Sequence, residues 1–334
     1  MKKTKTMHTP FLQSLQFLLL GALMLGLVFA SINLGSIRVG CGQLLRGLFV
    51  QYDPDVAAVY DLRFPRILIS ALAGASLAAA GTLMQAALKN PLADPGVLGV
   101  SSGAGFTAAL ITALLPEFYF AAPFFSILGG LLAFAMVYIL AWQGTLSPLR
   151  MILVGVAVQA LFTGLSSAMN AMSGTASGVA AIVEGNITMK TWQDVHILAA
   201  FCLPGLAAAL LCCRSCDLMA LEDKTLRGLG VRVDRVRFLV SLTAVWLVGG
   251  CTAVVGPVSF LGLLAPHIGR LLVGSDHRTL LPFSMLLGSF CFLLADTIGR
   301  TAAYPYEISA NVILSVVGGV AFIILLKRSE RLHG

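Results

Sequence analysis

The chain has few charged residues for its length. Only 11% of its 334 residues are Asp, Glu, Lys or Arg, whereas 58% are hydrophobic. A soluble domain carries roughly 25% charged residues, because its surface must be hydrated. The apolar residues also form long blocks along the whole chain instead of one tail. This composition excludes an ordinary water-soluble protein and predicts that lipid is the main solvent.

The sequence also lacks the patterns that identify common enzymes. It contains no G-x-x-x-x-G-K-[ST] phosphate loop, no dinucleotide fingerprint, no zinc-type His and Glu spacing and no Ser/His/Asp arrangement. We therefore predict a non-catalytic chain that binds no cofactor of its own. The net charge of +7 does not indicate a nucleic-acid partner, because the basic residues cluster in short connections between apolar blocks.

The cysteines and histidines predict neither a disulfide framework nor a metal site. Nearly all seven cysteines lie in or beside apolar blocks. The closest group, Cys212, Cys213 and Cys216, has no histidine nearby and falls where a helix would leave the membrane. His267 is interpreted as a hydrogen-bonded residue at a helix end and not as a ligand.

Ten apolar segments predict the fold class. A spanning helix needs about 20 apolar residues, and backbone amides in hydrocarbon must bond within their own segment. The first segment could be a signal peptide or a span, and the spans that follow favour a span. We predict one all-α, polytopic transmembrane domain over residues 1–334 with about ten helices, near 17–34, 66–87, 98–115, 121–142, 149–171, 192–213, 237–255, 257–273, 279–298 and 308–326.

The basic residues predict the orientation of these spans. With the N-terminus in the cytoplasm, all but six of the 22 Lys and Arg residues lie on the cytoplasmic side. This bias follows the positive-inside rule and places both termini in the cytoplasm. The six on the opposite side are Arg38, Arg46, Arg63, Arg66, Lys190 and Arg300.

Three connections have too many helix breakers or charges for simple turns. Residues 90–103 include two prolines and several glycines, and they form either a pathway element or an interfacial loop. Residues 221–235 allow a short helix, a glycine turn and a second short helix, which would be either a docking surface or a solvated loop. Residues 256–270 carry a proline near each end and form either a kinked span or a broken one.

Taken together, these segments resemble a known family. The similar stretches, in chain order, are 63–66, 90–103, 149–158, 222–230, 256–270 and 293–296. They look like the permease subunits of bacterial ferric-siderophore, haem and cobalamin ABC importers, the FecCD/BtuC-like family, and the similarity covers about residues 60–305. It implies a type II ABC importer permease fold in the bacterial cytoplasmic membrane. It also implies a second permease, identical or different, a cytoplasmic ATPase dimer that uses the ATP, and an extracytoplasmic substrate-binding protein.

The resemblance also implies roles for individual residues. A cytoplasmic coupling segment at about 214–236 would engage the ATPase through Glu222, Asp223, Thr225, Leu229 and Gly230. A gate near the cytoplasmic mouth would involve Asn90, Leu92 and Ser147. The binding protein would dock on Arg63, Arg66 and Arg300, for which the alternative is anchoring of helix ends at lipid headgroups.

The last predicted helix departs from the family pattern. Where the family has Glu-Leu-Pro-x-Gly, this chain has Glu-Ile-Ser-Ala-Asn at 307–311. Because the final helix of the family flanks the pathway, the departure leaves the ligand undetermined. The cargo expected from the resemblance is a ferric siderophore, with haem and cobalamin as alternatives.

An ion-coupled secondary transporter is the alternative function. Asp296 lies near the end of a span, and acids within membranes often relay protons. Arg300 follows one helical turn later, so an i,i+4 ion pair between the two residues is the simpler expectation. A scaffold or receptor that transports nothing would leave the irregular segments unexplained.

Overall fold

The computed structural model describes residues 10–34, 39–96, 98–143, 145–146, 148–173, 185, 187–302 and 306–330. Over these ranges the regular structure is helical apart from one two-stranded antiparallel ribbon. The helices are α1 (Pro10–Asn33), α2 (Cys41–Phe49), α3 (Pro54–Leu62), α4 (Phe64–Leu88), α5 (Val100–Leu114), a 3-10 helix (Pro116–Ala121), α6 (Ala122–Ala141), α7 (Pro148–Ser173), α8 (Trp192–Leu211), α9 (Cys213–Met219), α10 (Asp223–Gly228), α11 (Val233–Val255), α12 (Leu261–Val273), α13 (His277–Ala302) and α14 (Ala310–Glu330). The ribbon joins β1 (Trp142–Gln143) to β2 (Thr145–Leu146).

The ten predicted apolar segments all correspond to helices. In the described part of the chain, seven helices are long and apolar enough to cross a membrane, namely α1, the helical stretch ending with α4, α6, α7, α8, α11 and α13. Three further apolar helices are shorter, namely α5, α12 and the apolar part of α14. The all-α, polytopic fold class is therefore confirmed.

Helix α4 lies at the centre of the bundle. Most of its side chains are buried, and it packs against α8, α11, α12 and α13. A Cβ atom on Gly74 would collide with the backbone of Gly288 in α13, and one on Gly81 would collide with Gly262 in α12. Glycine at these positions lets the helix backbones touch, which is how helices pack closely where lipid provides little hydrophobic drive.

The segment around Pro257 is broken, which decides between the two interpretations of residues 256–270. Helix α11 ends at Val255 and α12 begins only at Leu261. Two residues at the break have left-handed backbone angles, Gly256 with φ of 71° and Phe260 with φ of 66°. The break exposes backbone carbonyls, and the Asn311 Nδ2 donates to the carbonyls of Val255 and Pro257 at 3.2 Å each.

The predicted coupling segment has a short helix, α10, and a glycine turn. The turn is a Schellman motif, in which the Gly230 amide donates to the Arg227 carbonyl and the Val231 amide to the Leu226 carbonyl, both at 3.0 Å. Gly230 has φ of 79°. The expected second short helix is wrong, because the helix after the turn is the 23-residue α11. The polar first turn of α11 continues directly into its apolar span, and no proline interrupts the helix.

The Schellman turn predicts different effects for two neighbouring glycines. Gly230→Val forces a β-branched residue into the left-handed region, which costs roughly 1–2 kcal/mol. Gly228→Val is the control, because both positions face open space but only Gly230 has positive φ. We expect hydrogen exchange of the residue 230 and 231 amides to accelerate about 5- to 30-fold in Gly230→Val only. Equal rates in the two variants would contradict the assignment.

Candidate functional site

An ion cluster joins three parts of the chain at one end of the bundle. The Arg66 Nε donates to both carboxylate oxygens of Asp296 at 2.9 Å, and Arg66 Nη2 lies 2.8 Å from Asp296 Oδ1. Arg66 Nη1 donates to Glu307 Oε2 at 2.9 Å. Both Arg66 and Asp296 are buried. A multidentate arginine and carboxylate pair of this kind fixes geometry as well as charge.

The expected ion pair between Asp296 and Arg300 is wrong. Asp296 is bound by Arg66, which lies 230 residues away in sequence at the start of α4. The Arg300 Nη2 instead donates to the carbonyl oxygen of Ser31 at 2.7 Å and to its hydroxyl at 3.1 Å. The helical spacing brings Arg300 within electrostatic reach of Asp296, but its guanidinium is used at the end of α1 while Arg66 on the adjacent helix α4 binds the carboxylate directly.

Two of the predicted docking arginines cap helix α1. The last carbonyls of a helix have no partner within the helix. The carbonyl of Ser31 accepts from Arg300, and the carbonyl of Ile32 accepts from the Arg63 guanidinium. Cations are also favourable at the negative end of the helix dipole. The three arginines lie within electrostatic reach of one another, and each of them has protein partners.

Glu307 was not identified from the sequence as a charge partner. Burial raises the pKa of this carboxyl, but hydrogen bonds from Thr188 and Arg66 outweigh that effect and hold the pKa below its usual range. The Thr188 hydroxyl lies 2.6 Å from Glu307 Oε2. The signal available in the sequence was an acid just before the last apolar segment, on the side that holds the three arginines.

A second ion cluster lies in the predicted coupling segment. The Lys89 Nζ lies 2.6 Å from Asp223 Oδ1, and Arg237 Nη2 lies 3.2 Å from Asp223 Oδ2. The hydrogen bond from Lys89, assisted by Arg237, lowers the pKa of the Asp223 carboxyl. Asp223 thus connects α10 to the end of α4 and to the first turns of α11. Glu222, Thr225 and Leu229 flank these contacts in the same segment.

The predicted gate is described only in part. Asn90 and Leu92 form a turn after α4, in which the Asn90 side-chain oxygen accepts from the Leu92 amide at 3.0 Å. The Leu92 side chain is partly exposed, with 37% of its surface accessible. Ser147 lies outside the described residues, as do Arg38 and the basic residues near the N-terminus.

A polar cavity lies where two of the three irregular segments meet α7. Its volume is about 210 Å³, and the described residues of its lining carry hydroxyl and amide groups but no charge. The contributing residues are Gly96, Ser101, Ser102 and Gly105 before and within α5, Gln159, Thr163, Ser166 and Ser167 on α7, and Pro257 and Ser259 at the break. Irregular backbone is tolerated at membrane depth where it lines such a cavity. Asn90 and Leu92 are not among the lining residues.

The cysteines do not form a recognisable metal site in the described part of the chain. There, no group of three or more His, Cys, Asp or Glu side chains is placed to hold a metal ion. Cys213 and Cys216 are buried in α9. His267 lies on α12 next to Arg270, whose guanidinium donates to Gln85 Oε1 at 2.6 Å.

Comparison with known proteins gives consistent matches over nearly the whole chain. A model of the FecCD transport family matches residues 23–328. The "Probable heme-iron transport system permease protein IsdF" of Staphylococcus aureus, in strains RF122 and MSSA476, is 39% identical over 319 residues, which cover 96% of this chain and 97% of the relative.

Solved structures match the fold. A transporter described as metal-chelate type ABC, in an inward-facing conformation, superimposes with a TM-score of 0.79 and 27% identity, covering 94% of this chain and 99% of the other. PsaBC from Streptococcus pneumoniae, in complex with Fab, superimposes with a TM-score of 0.56 and 16% identity, covering 85% and 95%. The second match supports the fold alone.

The buried ion cluster predicts a large stability loss when one partner is removed. Asp296→Asn leaves Arg66 with only the partly exposed Glu307, and breaking a buried pair costs roughly 3–5 kcal/mol. Asp61→Asn is the control, because Asp61 is an exposed acid nearby on α3. We expect the midpoint temperature of thermal unfolding, measured on the purified chain in detergent, to fall strongly for Asp296→Asn only.

A double variant tests whether loss of the Arg66–Asp296 ion pair is the reason for the lower stability of Asp296→Asn. Replacing a buried ion pair by apolar residues of similar size is often nearly neutral. Arg66→Met combined with Asp296→Leu should therefore recover much of the stability lost in Asp296→Asn. A double variant less stable than Asp296→Asn would show that the cluster does not stabilise the chain through this pair.

Proposed function

The chain belongs to the FecCD transport family, and we propose that it is the membrane permease subunit of a bacterial ABC importer for an iron chelate, with haem iron as the cargo. Family membership over residues 23–328 supports the transport role. The 39% identity to a haem-iron permease favours haem over the ferric siderophore expected from the family resemblance. Cobalamin is the third candidate cargo.

The proposed ATPase partner would engage the coupling segment, residues 214–236. The observation that carries this role is the pair of contacts through which Asp223 connects α10 to both α4 and α11. Force applied to α10 therefore acts on two helices of the bundle. The proposed ATPase dimer hydrolyses the ATP, since this chain has no phosphate loop.

A second permease subunit is proposed to cover the polar face of α7. In the described structure this helix packs mainly on α5 and α6, and Thr163 and Ser167 are exposed. Polar side chains in a spanning helix usually face protein or water instead of lipid. A second copy or a related chain would complete the cavity between α5, α7 and the break, which we propose is part of the pathway. Asn90 and Leu92 are the proposed gate residues at its cytoplasmic mouth.

The arginine cluster is the proposed docking region for a substrate-binding protein. Among the described residues, the cluster holds three arginines, Arg63, Arg66 and Arg300, against the two carboxylates of Asp296 and Glu307, an excess of one positive charge. This excess suits acidic side chains on a partner. Arg63 and Arg66 are both buried, and Arg66 is bound to two carboxylates, so the partly exposed Arg300 is the residue that we propose makes the direct contact.

The contacts of Asp296 argue against the ion-coupled alternative. A proton relay needs a carboxylate that can lose and regain its proton during transport. Asp296 is 1% exposed, and its two carboxylate oxygens share the single Nε–H of Arg66. The multidentate contact commits this carboxylate to the Arg66 guanidinium, which is a structural role and leaves a proton relay without an accessible group.

Vesicle uptake tests the proposed function and the cargo separately. The permease is reconstituted with its ATPase and binding protein, and labelled haem, ferric siderophore and cobalamin are supplied outside. We expect haem uptake that requires ATP and the ATPase. Uptake driven by a proton gradient alone would support the ion-coupled alternative. ATP-dependent uptake of only the siderophore or cobalamin would overturn the cargo and leave the importer class standing.

The coupling role of Asp223 predicts that removing its charge lowers transport-coupled ATP hydrolysis. Asp223→Asn removes two partly exposed ion pairs, each worth about 0.2–1 kcal/mol. We expect transport-coupled ATP hydrolysis to fall roughly threefold to tenfold while insertion in the membrane is retained. Asp234→Asn is the matched control, because this exposed acid makes one long contact of 3.7 Å with Arg227. Equal activity of the two variants would contradict the role.

A further inference from the structure

A groove opens at the predicted cytoplasmic end of the spans, where the coupling segment begins at Arg214. It is lined by Leu210 and Leu211 at the end of α8, by Cys213 and Arg214 at the start of α9, and by Arg278 at the start of α13. Its volume is about 570 Å³. Ligand sites typically have volumes of about 300–1,000 Å³, so the groove can hold a phospholipid headgroup with the adjoining part of an acyl chain.

The groove is held in shape by a contact between α9 and α13. The Asp217 Oδ1 lies 2.7 Å from His277 Nδ1 and accepts from the His277 backbone amide at 2.9 Å. Cys213 and Cys216 are buried on the inner face of α9. Arg214 is therefore left on the outer face of α9, beside the first turn of α13.

The basic groups in the groove are available to an anion. Among the described residues, neither Arg214 nor Arg278 forms an ion pair or a side-chain hydrogen bond, and both are exposed. The neighbouring acids contact other groups, since Asp217 is bound to His277 and Asp276 accepts from the Arg278 backbone amide at 3.0 Å, so neither carboxylate pairs with the two guanidinium groups. Arginine is well suited to a phosphate because its planar donors bind two oxygens at once.

The groove is apolar on its other side. Leu210 is 44% exposed and Leu211 is 84% exposed, at the end of a 20-residue span. A soluble phosphate would gain nothing from these side chains. A phospholipid matches both sides of the groove, because its phosphate suits the arginines and its hydrocarbon suits the leucines. The two parts also lie next to each other in the bilayer, as the two sides of the groove do.

We propose that this groove binds one anionic phospholipid. Its phosphate lies between Arg214 and Arg278, and the upper part of an acyl chain packs on Leu210 and Leu211. Basic pockets between helices on the cytoplasmic side attract such headgroups, because the cytoplasmic leaflet is negatively charged. The inference does not depend on which cargo is transported.

Native mass spectrometry of the full chain in detergent tests the site with phosphatidylglycerol and phosphatidylcholine as probes. We expect one phosphatidylglycerol to be retained in preference to phosphatidylcholine. Arg214→Gln and Arg278→Gln should each weaken its binding about fivefold, the effect of one arginine near a membrane surface. Arg235→Gln, an exposed arginine outside the groove, should leave it unchanged.

Three results would overturn the proposal. Equal retention of the two lipids would remove the preference for an anion. An equal loss in Arg235→Gln would show that general charge attraction, and not the groove, holds the lipid. Displacement of the lipid by glycerophosphate at equal concentration, with no effect of Leu211→Ser, would identify the ligand as a soluble phosphate. Unchanged unfolding midpoints of the variants would confirm that they are folded.

Discussion

The rest of the structure depends on the satisfaction of backbone hydrogen bonds inside hydrocarbon. Helices satisfy them within one segment, which is why the spans of this chain are helical. Helix ends and breaks do not, and at several of these places a side chain supplies the missing partner. Asn311 donates to the carbonyls at the break after α11, and Arg63 and Arg300 donate to the last carbonyls of α1.

The same constraint explains basic residues on the side of the membrane that the sequence predicts to be extracytoplasmic, where such residues are disfavoured. The positive-inside rule counts charges that must stay in water or at headgroups. Arg66 is neutralised by two carboxylates, and Arg63 and Arg300 bind carbonyls of α1, so these cations are partnered by protein groups. The positions of these three arginines are therefore set first by their contacts within the chain. Any docking of a binding protein uses the charge that remains after these internal contacts.

The sequence predicted what depends on local properties. Span number follows from the length of apolar runs, and the turn at Gly230 follows from the one residue type that readily adopts positive φ. The partner of Asp296 could not be predicted, because helical spacing favoured Arg300 while the true partner, Arg66, comes from the other end of the sequence. The departure at 307–311 from the family motif had no structural explanation in the sequence alone. In the structure, Glu307 and Asn311 are both occupied by contacts that only the folded bundle brings together.

Helix α4 links the two ion clusters. Arg66 in its first turn holds α13 and the segment before α14, and Lys89 just beyond its last residue holds Asp223 of the coupling segment. Its 25 residues span about 37 Å at the helical rise of 1.5 Å per residue, roughly the thickness of a bilayer. Glycine contacts with α12 and α13 leave α4 little room to slide independently. A displacement of α10 therefore acts on a rigid, tightly packed helix whose far end belongs to the arginine cluster, so events on the two faces of the membrane share one mechanical element.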